Sequence, residues 1–306
     1  MVKFISDKEV AGCLDYGTVQ ATIEQAFESL AHGRAAINPR QRIDCGDIKF
    51  STMGAIWLDA NLAGEKVYPT IKGQFTFLFN LFDTRTGAPL AVMQANELTR
   101  FRTPALTTLA VSRAAVATRK LALFGAGVQG RAHLESLVLA LPFGEVDVVD
   151  IVDVSTWCAD AARKYGIAVR QVRADEAVKD ADVIVTVTRA KQPLFDGALL
   201  KPGTFIAAVG NSLPTGRELD DATLSRAARI VVEWKPQSCV EAGEVVLGKR
   251  SGAVDDARIV DLKEIFAGKA VWRQAPQEII VFKAVGVGLT NLAAASLVWK
   301  ALKGQS

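Results

Sequence analysis

The sequence predicts an α/β protein in which a doubly wound parallel sheet is accompanied by a second, α+β domain. The chain has 306 residues, which favours two domains over one compact core. From residue 120 onward, short apolar runs alternate with helical segments, as in a parallel sheet with helices on both faces. The preceding hundred residues differ, because their strand-like runs are joined by turns that suit an antiparallel sheet.

Composition excludes several classes of protein. Half of the residues are hydrophobic and 23% are charged, which is typical of folded soluble domains. The net charge of +3 is small and the basic residues are scattered, so we expect neither a nucleic-acid nor a membrane partner. The four cysteines are far apart and only two histidines are present, so we expect no metal site and no disulfide framework. Reduced thiols and an N-terminus without a signal-peptide core favour a cytoplasmic protein.

The elements of the first domain follow from periodicity. Apolar residues recur at helical spacing over 18–31 and predict an amphipathic helix. The β-type runs 74–82 and 88–93 flank a polar turn and predict an antiparallel hairpin. A further helix is expected from about 103 to 116. A last apolar helix, 289–302, is expected to return and pack on this domain.

The second domain is predicted from its buried strands. The expected strands are 121–124, 146–152, 168–172, 183–187, 204–209, 230–233 and 279–282. We therefore expect a first domain of residues 1–116 plus 285–306 and a second domain of residues 117–284.

A glycine loop follows the first strand of the second domain. Residues Gly125-Ala-Gly-Val-Gln-Gly130 form a GxGxxG pattern between an apolar strand and a helix, the order typical of a Rossmann dinucleotide-binding domain. Gly125 would allow the tight turn, Gly127 the approach of the pyrophosphate, and Gly130 the close packing of helix on strand. The N–H groups at the start of the helix would bind the phosphates.

An acidic residue supports this reading. Asp150 stands about twenty residues after the loop, at the end of the next strand, where a carboxylate accepts hydrogen bonds from the adenosine ribose. No arginine follows it, so NAD is favoured and NADP is the alternative. Asp153 is the rival for this role if the strand is longer. Thr186 and Thr188, at the end of the fourth strand, are candidate contacts on the nicotinamide side, although ordinary β-propensity explains them equally well.

Several separated segments resemble, in collinear order, the ornithine cyclodeaminase/μ-crystallin family. The segments are Asn38-Pro-Arg40, Gly64-Glu-Lys-Val67, 84–93, Leu98-Thr-Arg-Phe-Arg-Thr103, the glycine loop, Ala208-Val-Gly-Asn-Ser212 and Arg217-Glu-Leu-Asp220. The resemblance covers nearly the whole chain. It implies a homodimer whose first domain, completed by the C-terminal helix, binds the substrate and dimerises while the second domain holds the dinucleotide.

The resemblance also implies a chemistry and a set of residues. A hydride moves between nicotinamide C4 and the α-carbon of a small amino or imino acid. Arg40 and Arg102 would hold the substrate carboxylate, Lys66 would act as acid or base, and Gln74 would be a polar substrate contact. Substrate selectivity is expected in first-domain loops such as 51–61. Taken together, the candidate cofactor contacts are Gly125, Gly127, Val128, Gln129, Gly130, Asp150, Thr103, Thr186 and Thr188.

Among the departures from the cyclodeaminase branch, one position matters most. That branch has an aspartate in the segment that here reads Gly210-Asn-Ser212, and Ser212 offers a neutral hydroxyl instead of a carboxylate base. The μ-crystallin branch, which reduces ketimines, also carries serine there. We therefore predict an NAD(P)H-dependent ketimine reductase or amino-acid dehydrogenase, with Ser212 as a neutral hydrogen-bonding partner. The alternatives are an ornithine or lysine cyclodeaminase and a non-catalytic, dinucleotide-dependent binding protein of crystallin type.

Overall fold

The computed structural model describes residues 2–303, which form two compact units. One unit comprises the described residues up to Leu106 together with those from Gly286 onward, and the other is Thr107–Val285. The division falls earlier than residue 116 because a single helix runs across it. No change in sequence pattern marks the boundary inside that helix.

The strands and helices of residues 2–303 are numbered in chain order. The strands are β1 (Lys3–Ile5), β2 (Ala35–Ile37), β3 (Gln41–Cys45), β4 (Ile48–Trp57), β5 (Leu62–Ile71), β6 (Gln74–Phe75), β7 (Leu78–Asp83), β8 (Pro89–Gln94), β9 (Lys120–Phe124), β10 (Glu145–Val149), β11 (Ala168–Gln171), β12 (Val183–Thr186), β13 (Phe205–Ala208), β14 (Ala227–Val232), β15 (Ile259–Asp261) and β16 (Ile279–Lys283). The helices are α1 (Asp7–Gly12), α2 (Tyr16–Ala31), α3 (Asn96–Ala114), α4 (Val128–Ala140), α5 (Ser155–Tyr165), α6 (Ala174–Lys179), α7 (Asp221–Arg226), α8 (Lys235–Glu241), α9 (Gly243–Ser251), α10 (Leu262–Phe266) and α11 (Gly288–Leu302). Among these described helices, none combines the length and the apolarity that a membrane span requires.

The first unit is built on a mostly antiparallel sheet in the order β1-β8-β7-β5-β4-β2, with β3 paired to β4 and β6 to β5. Side chains alternate between the two faces of such a sheet. Met53, Lys66 and Phe79 are register partners on β4, β5 and β7, and all three are buried on what we call the inner face. The C-terminal helix α11 packs against α2, β4 and β5.

Two expectations in the first unit were wrong in detail. The run 74–82 is not one strand, because the ladder is interrupted at Phe77, whose carbonyl accepts a hydrogen bond from the N–H of Ala95. Helix α3 begins at Asn96 instead of 103. The carboxylate of Asp7 accepts hydrogen bonds from the N–H of Glu97 and from the side chain of Asn96, so a distant residue satisfies the start of the helix.

The second unit confirms the prediction of a doubly wound parallel sheet. Its strands are all parallel, in the order β11-β10-β9-β12-β13-β16-β14-β15. The chain winds outward from β9 in one direction and from β12 in the other, which makes the carboxyl ends of these two strands the switch point where ligands bind in such sheets. Strand β10 ends at Val149, earlier than expected, and β15 was not predicted because it is only three residues long.

Candidate active site

The glycine loop of the second unit has the geometry of a dinucleotide cradle. Gly125 has a φ of +97°, and a Cβ there would lie 3.0 Å from the carbonyl oxygen of Val187. At Gly130, a Cβ would lie 1.8 Å from the carbonyl oxygen of Gly125, so the helix packs on the loop more closely than any side chain allows. A Cβ at Gly127 would meet nothing within 4 Å, which leaves open space beside that backbone.

Helix α4 starts inside this loop. Gly127 is its N-cap residue and provides no side-chain cap, so the helix begins without an internal acceptor for its first N–H groups. Val128 is exposed and Gln129 is half-buried in the first turn. An anion fits here because both the N–H groups and the positive end of the helix dipole favour negative charge. The arrangement suits the pyrophosphate of a dinucleotide.

The early end of β10 separates Asp150 from Asp153. The Oδ2 of Asp150 accepts a hydrogen bond of 2.7 Å from the N–H of Ala126, so this carboxylate lies against the glycine loop. Asp153 instead accepts a hydrogen bond of 2.9 Å from the N–H of Ser155 at the start of α5. Hydrogen bonds from Ser155 lower the pKa of Asp153. Of the two, Asp150 is the one whose carboxylate is hydrogen-bonded to the glycine loop.

Thr186, the last residue of β12, and Thr188, just after it, are held by a residue that sequence analysis overlooked. Thr186 is fully buried and its hydroxyl donates to Oε2 of Glu218 over 2.9 Å. The hydroxyl of Thr188 donates to Oε1 of the same carboxylate over 2.7 Å. Because Thr186 has no exposed surface, it cannot touch a ligand directly and acts through the residues that it holds, among them Glu218. Ser212 follows Asn211 on the segment after β13 and is half-buried.

In the first unit, Lys66 lies on the inner face of the sheet and is only 3% exposed. Its Nζ donates a hydrogen bond of 2.8 Å to Oγ1 of Thr99, one of the residues in the first turns of α3. That hydroxyl in turn donates to the carbonyl of Ala95 over 2.9 Å. The Nζ also lies 3.8 Å from the centre of the Phe77 ring. The amine of Lys66 is therefore held at a defined point by the sheet, by α3 and by an aromatic ring.

Two arginines converge beside this lysine. Arg102, on α3, is 8% exposed. The Nη2 of Arg40 donates a hydrogen bond of 3.0 Å to the carbonyl oxygen of Gly286. A Cβ at Gly286 would lie 3.2 Å from one terminal nitrogen of Arg102 and 3.3 Å from Nη2 of Arg40. Both guanidinium groups thus meet at Gly286, which has no side chain to separate them.

The electrostatics of this cluster favour an anion. Burial, followed by the positive charges of Arg102 and Arg40, lowers the pKa of Lys66 well below its usual value of 10.5. All three influences oppose the ammonium form, and no carboxylate contributes to them. A bound carboxylate would reverse the balance, because a nearby negative charge stabilises the protonated amine. The cluster can therefore bind a carboxylate and hold a proton beside it.

Two other expected residues lie differently. The hydroxyl of Thr103 donates to the carbonyl of Thr99 on α3 over 2.8 Å, so this side chain is engaged by its own helix. Gln74 is exposed on β6 and pairs with Ile71 at the end of β5. Ile71 is an odd number of residues from Lys66 on the same strand, and register partners share a face. The side chain of Gln74 is therefore directed to the face opposite Lys66 and is not brought into the cation cluster.

Sequence analysis also missed Thr99 and Phe77. Thr99 and Arg102 are one helical turn apart, a signal that was hidden because α3 was expected to start at 103. Phe77 could not be found from a pattern, since it leaves the strand ladder at an irregularity. The segment expected to be a selectivity loop, 51–61, is mostly strand β4, and Ser51 and Met53 are buried on the inner face.

Comparison with known proteins agrees with this arrangement. A family model described as the ornithine cyclodeaminase/mu-crystallin family matches residues 2–306. The chain belongs to this family. The resemblance noted from the separated sequence segments is thereby confirmed.

The chain is similar to proteins with more than one named activity. Ketimine reductase mu-crystallin of Mus musculus is 36% identical over 232 residues, which cover 72% of this chain and 67% of that protein. A probable ornithine cyclodeaminase from Bordetella pertussis Tohama I has a similar crystal structure, with 38% identity, a TM-score of 0.95, and coverage of 100% of this chain and 98% of that one. The Δ1-pyrroline-2-carboxylate reductase of Thermococcus litoralis, solved with NADH and L-proline, is 27% identical with a TM-score of 0.93 over 100% of this chain and 98% of that one.

Proposed function

We propose that this chain is an NAD(P)-dependent oxidoreductase that transfers a hydride between a nicotinamide and the α-carbon of a small amino or imino acid. It acts as a ketimine reductase or, in the reverse direction, as an amino-acid dehydrogenase. The observation that carries the proposal is the convergence of Arg40 and Arg102 on Lys66. Burial and the charges of the two arginines lower the pKa of Lys66. The ketimine reductase from mouse and the Thermococcus reductase solved with NADH and L-proline support the same reaction class.

Each residue of the cluster has a defined task. The planar guanidinium groups of Arg40 and Arg102 bind the substrate carboxylate, because their N–H groups match two oxygens in one plane. Binding of this carboxylate raises the pKa of Lys66, so its Nζ gains a proton and can donate it to the substrate nitrogen. Thr99 accepts one N–H of Lys66 and so orients the others. When bound, the dinucleotide supplies or accepts the hydride.

The second unit holds the cofactor. The proposed contacts from this unit are Gly125, Gly127, Val128, Gln129, Gly130, Asp150, Thr188 and the neutral hydroxyl of Ser212, with Thr186 acting through Glu218. Thr103, which belongs to the first unit, stays a predicted cofactor contact. NAD is preferred over NADP because the carboxylate of Asp150, which lies against the glycine loop, repels a 2′-phosphate. Gln74 is left out of the proposed site.

Turnover tests this function directly. Purified protein is mixed with NADH and either Δ1-pyrroline-2-carboxylate, Δ1-piperideine-2-carboxylate, or pyruvate with ammonia or methylamine, and absorbance at the nicotinamide band is followed. We expect oxidation of NADH with at least one substrate. The matched control, Lys66→Met, should bind NADH as the wild type does and turn over none of them. If the wild-type protein binds NADH but turns over none of these substrates, the proposal is refuted.

Ornithine cyclodeamination is the second candidate, and it is supported by the 38% identity to the probable cyclodeaminase of Bordetella pertussis. Ser212 weighs against it, because a hydroxyl does not replace a carboxylate as a base at neutral pH. Ammonia release from L-ornithine with no net change in NADH would favour this candidate. Oxidation of NADH by the ketimines without such release would exclude it.

We further propose a cytoplasmic homodimer. The outer face of the first sheet, opposite Lys66, carries Glu65 and Asn80 but is rich in large apolar side chains, where an antiparallel sheet facing water would carry mostly polar ones. Its exposed large hydrophobic residues are Phe4, Ile43, Ile48, Phe50, Ile56, Ile71, Leu78 and Phe82. A second copy of the chain is the proposed occupant, and the four free cysteines suit a reducing compartment.

Light scattering after size exclusion measures the assembly. The wild type should have the mass of two chains, and Phe82→Lys on the outer face should have the mass of one. Leu139→Lys, an exposed apolar position on α4, is the matched control and should stay dimeric. A monomeric wild type would refute the homodimer.

A further inference from the structure

The carboxylate of Glu218 is fully buried in the second unit and accepts five hydrogen bonds. Its Oε1 accepts from the N–H of Thr188 over 2.8 Å and from the hydroxyl of Thr188 over 2.7 Å. Its Oε2 accepts from the hydroxyl of Thr186 over 2.9 Å, from the N–H of Gly210 over 2.9 Å and from the N–H of Asn211 over 3.3 Å. We call these five residues the Glu218 clamp. The clamp joins the segment after β12 to the segment after β13.

The two segments touch within the clamp. A Cβ at Gly210 would lie 2.2 Å from both the nitrogen and the carbonyl oxygen of Thr188, so the two backbones meet where no side chain fits. Asn211 is held further, because its Nδ2 donates to the carbonyl of Ala190 over 2.8 Å and its Oδ1 accepts from the N–H of Leu213 over 2.8 Å. Ser212 lies between Asn211 and Leu213, so its backbone is fixed on both sides.

A buried ion pair is hydrogen-bonded to two residues of the clamp. Lys283, the last residue of β16, and Glu244 of α9 are both fully buried, with Nζ and Oε2 separated by 3.0 Å. Lys283 also donates to the carbonyl of Asn211 over 2.6 Å, and Oε1 of Glu244 accepts the N–H of Glu218 over 2.8 Å. These charges link the carboxyl ends of the adjacent strands β12, β13 and β16. Buried charges are costly unless they are paired in this way.

The position of the clamp relates it to one half of the cofactor. In a doubly wound sheet the dinucleotide crosses the switch point, with one nucleotide over each half of the sheet. Asp150 and the glycine loop occupy the half formed by β9 and β10. The clamp occupies the carboxyl ends of β12 and β13, on the other side of the switch point. The clamp therefore lies at the half of the sheet that receives the nicotinamide nucleotide.

We propose that Glu218 is a positioning residue for the nicotinamide half of the cofactor. It touches no ligand itself, because it is fully buried, and acts by fixing the backbones of Thr188 and of Gly210–Asn211 that line the crevice. This inference rests on the proposed use of a nicotinamide dinucleotide. Loss of the clamp should loosen the nicotinamide end and leave the adenosine end in place.

Comparison of NADH with ADP-ribose isolates this effect, since ADP-ribose has every part of the cofactor except the nicotinamide. In Glu218→Gln an amide N–H₂ replaces one acceptor oxygen and faces the clamp's donors. We expect the Kd for NADH, measured by calorimetry, to rise about tenfold or more, in keeping with loss of charge-assisted hydrogen bonds. The Kd for ADP-ribose should change less than about twofold. The matched control is Asp182→Asn, which alters a buried carboxylate at the amino end of β12, where it accepts from the N–H groups of Arg119 and Lys120.

A second pair of variants applies if Glu218→Gln does not fold. Thr186→Val removes one buried donor to Glu218, and Thr204→Val removes a buried hydroxyl at the other end of the sheet, where it donates to the carbonyl of Lys201. Thr186→Val alone should raise the ratio of the two dissociation constants. Equal losses of NADH and ADP-ribose affinity, or a shift of the ratio in the control variants, would overturn the positioning role. A wild type that binds ADP-ribose and not NADH would overturn the proposed cofactor, and this inference with it.

Discussion

Replacing Lys66 by methionine should stabilise the folded chain at neutral pH while it abolishes turnover. Methionine fills the path of the lysine side chain up to Cε and lacks only the amine, in a site where Lys66 is 3% exposed. The lost hydrogen bond to Thr99 leaves that hydroxyl still donating to Ala95. Its loss costs about 0.5–1.5 kcal/mol. Against this stands the removal of an amine whose charged form the fold disfavours.

Removal of the Lys66 amine changes the free energy of unfolding by an amount that depends on pH. The sign of this change follows from the lowered pKa of Lys66. In the unfolded chain Lys66 binds a proton below its usual pKa of 10.5, whereas in the folded chain burial, Arg102 and Arg40 keep it neutral until a lower pH. Between these two values the unfolded state binds more protons, so wild-type stability falls as pH falls. The slope for one such group is about 1.4 kcal/mol per pH unit. Lys66→Met lacks this slope.

Urea unfolding followed by circular dichroism between pH 7 and 10 measures the difference. The advantage of Lys66→Met should grow steadily as pH is lowered from 10 until the folded-state pKa is reached, and level off below it. Lys49→Met is the matched control, because the ammonium of Lys49 is half-exposed on β4, where it pairs with Asp44. Its difference from the wild type should be nearly constant with pH. A constant difference for Lys66→Met as well would refute the reasoning.

Three further outcomes are expected. Arg102→Met should lower kcat/KM about 10- to 100-fold with NADH saturating, because charge-assisted hydrogen bonds to the carboxylate are lost; an unchanged value in initial-rate assays would remove Arg102 from the site. Asp150→Ser should raise the ratio of kcat/KM with NADPH to kcat/KM with NADH by at least about tenfold, or about 1.4 kcal/mol, because it removes a charge that repels the 2′-phosphate. An unchanged ratio would argue for another ribose contact. Gly130→Ala should prevent binding of both NADH and ADP-ribose in calorimetry, since its Cβ would lie 1.8 Å from the carbonyl oxygen of Gly125. Gly144→Ala, where a Cβ meets nothing within 4 Å, should bind both as the wild type does.

The start of α3 shows where prediction from sequence stopped. A helix was expected there from about residue 103, but not its first turns. The residue that accepts the hydrogen bonds of the N-terminal end of α3 is Asp7, which lies far from Asn96 in the sequence. Because those turns were missed, the helical spacing of Thr99 and Arg102 was missed as well. Only folding brings Asp7 to Asn96.

The sequence by itself determined the glycine loop, the parallel sheet around it and the family resemblance. Their signals lie within short stretches of the chain: a glycine where the turn needs a positive φ, a strand that runs into a helix, and apolar runs of strand length. The tertiary structure alone decided that Arg40 and Arg102 meet at Gly286 beside Lys66. It alone gave Glu218 its five donors. Such contacts join residues far apart in sequence, and their energies depend on burial, which no local pattern records.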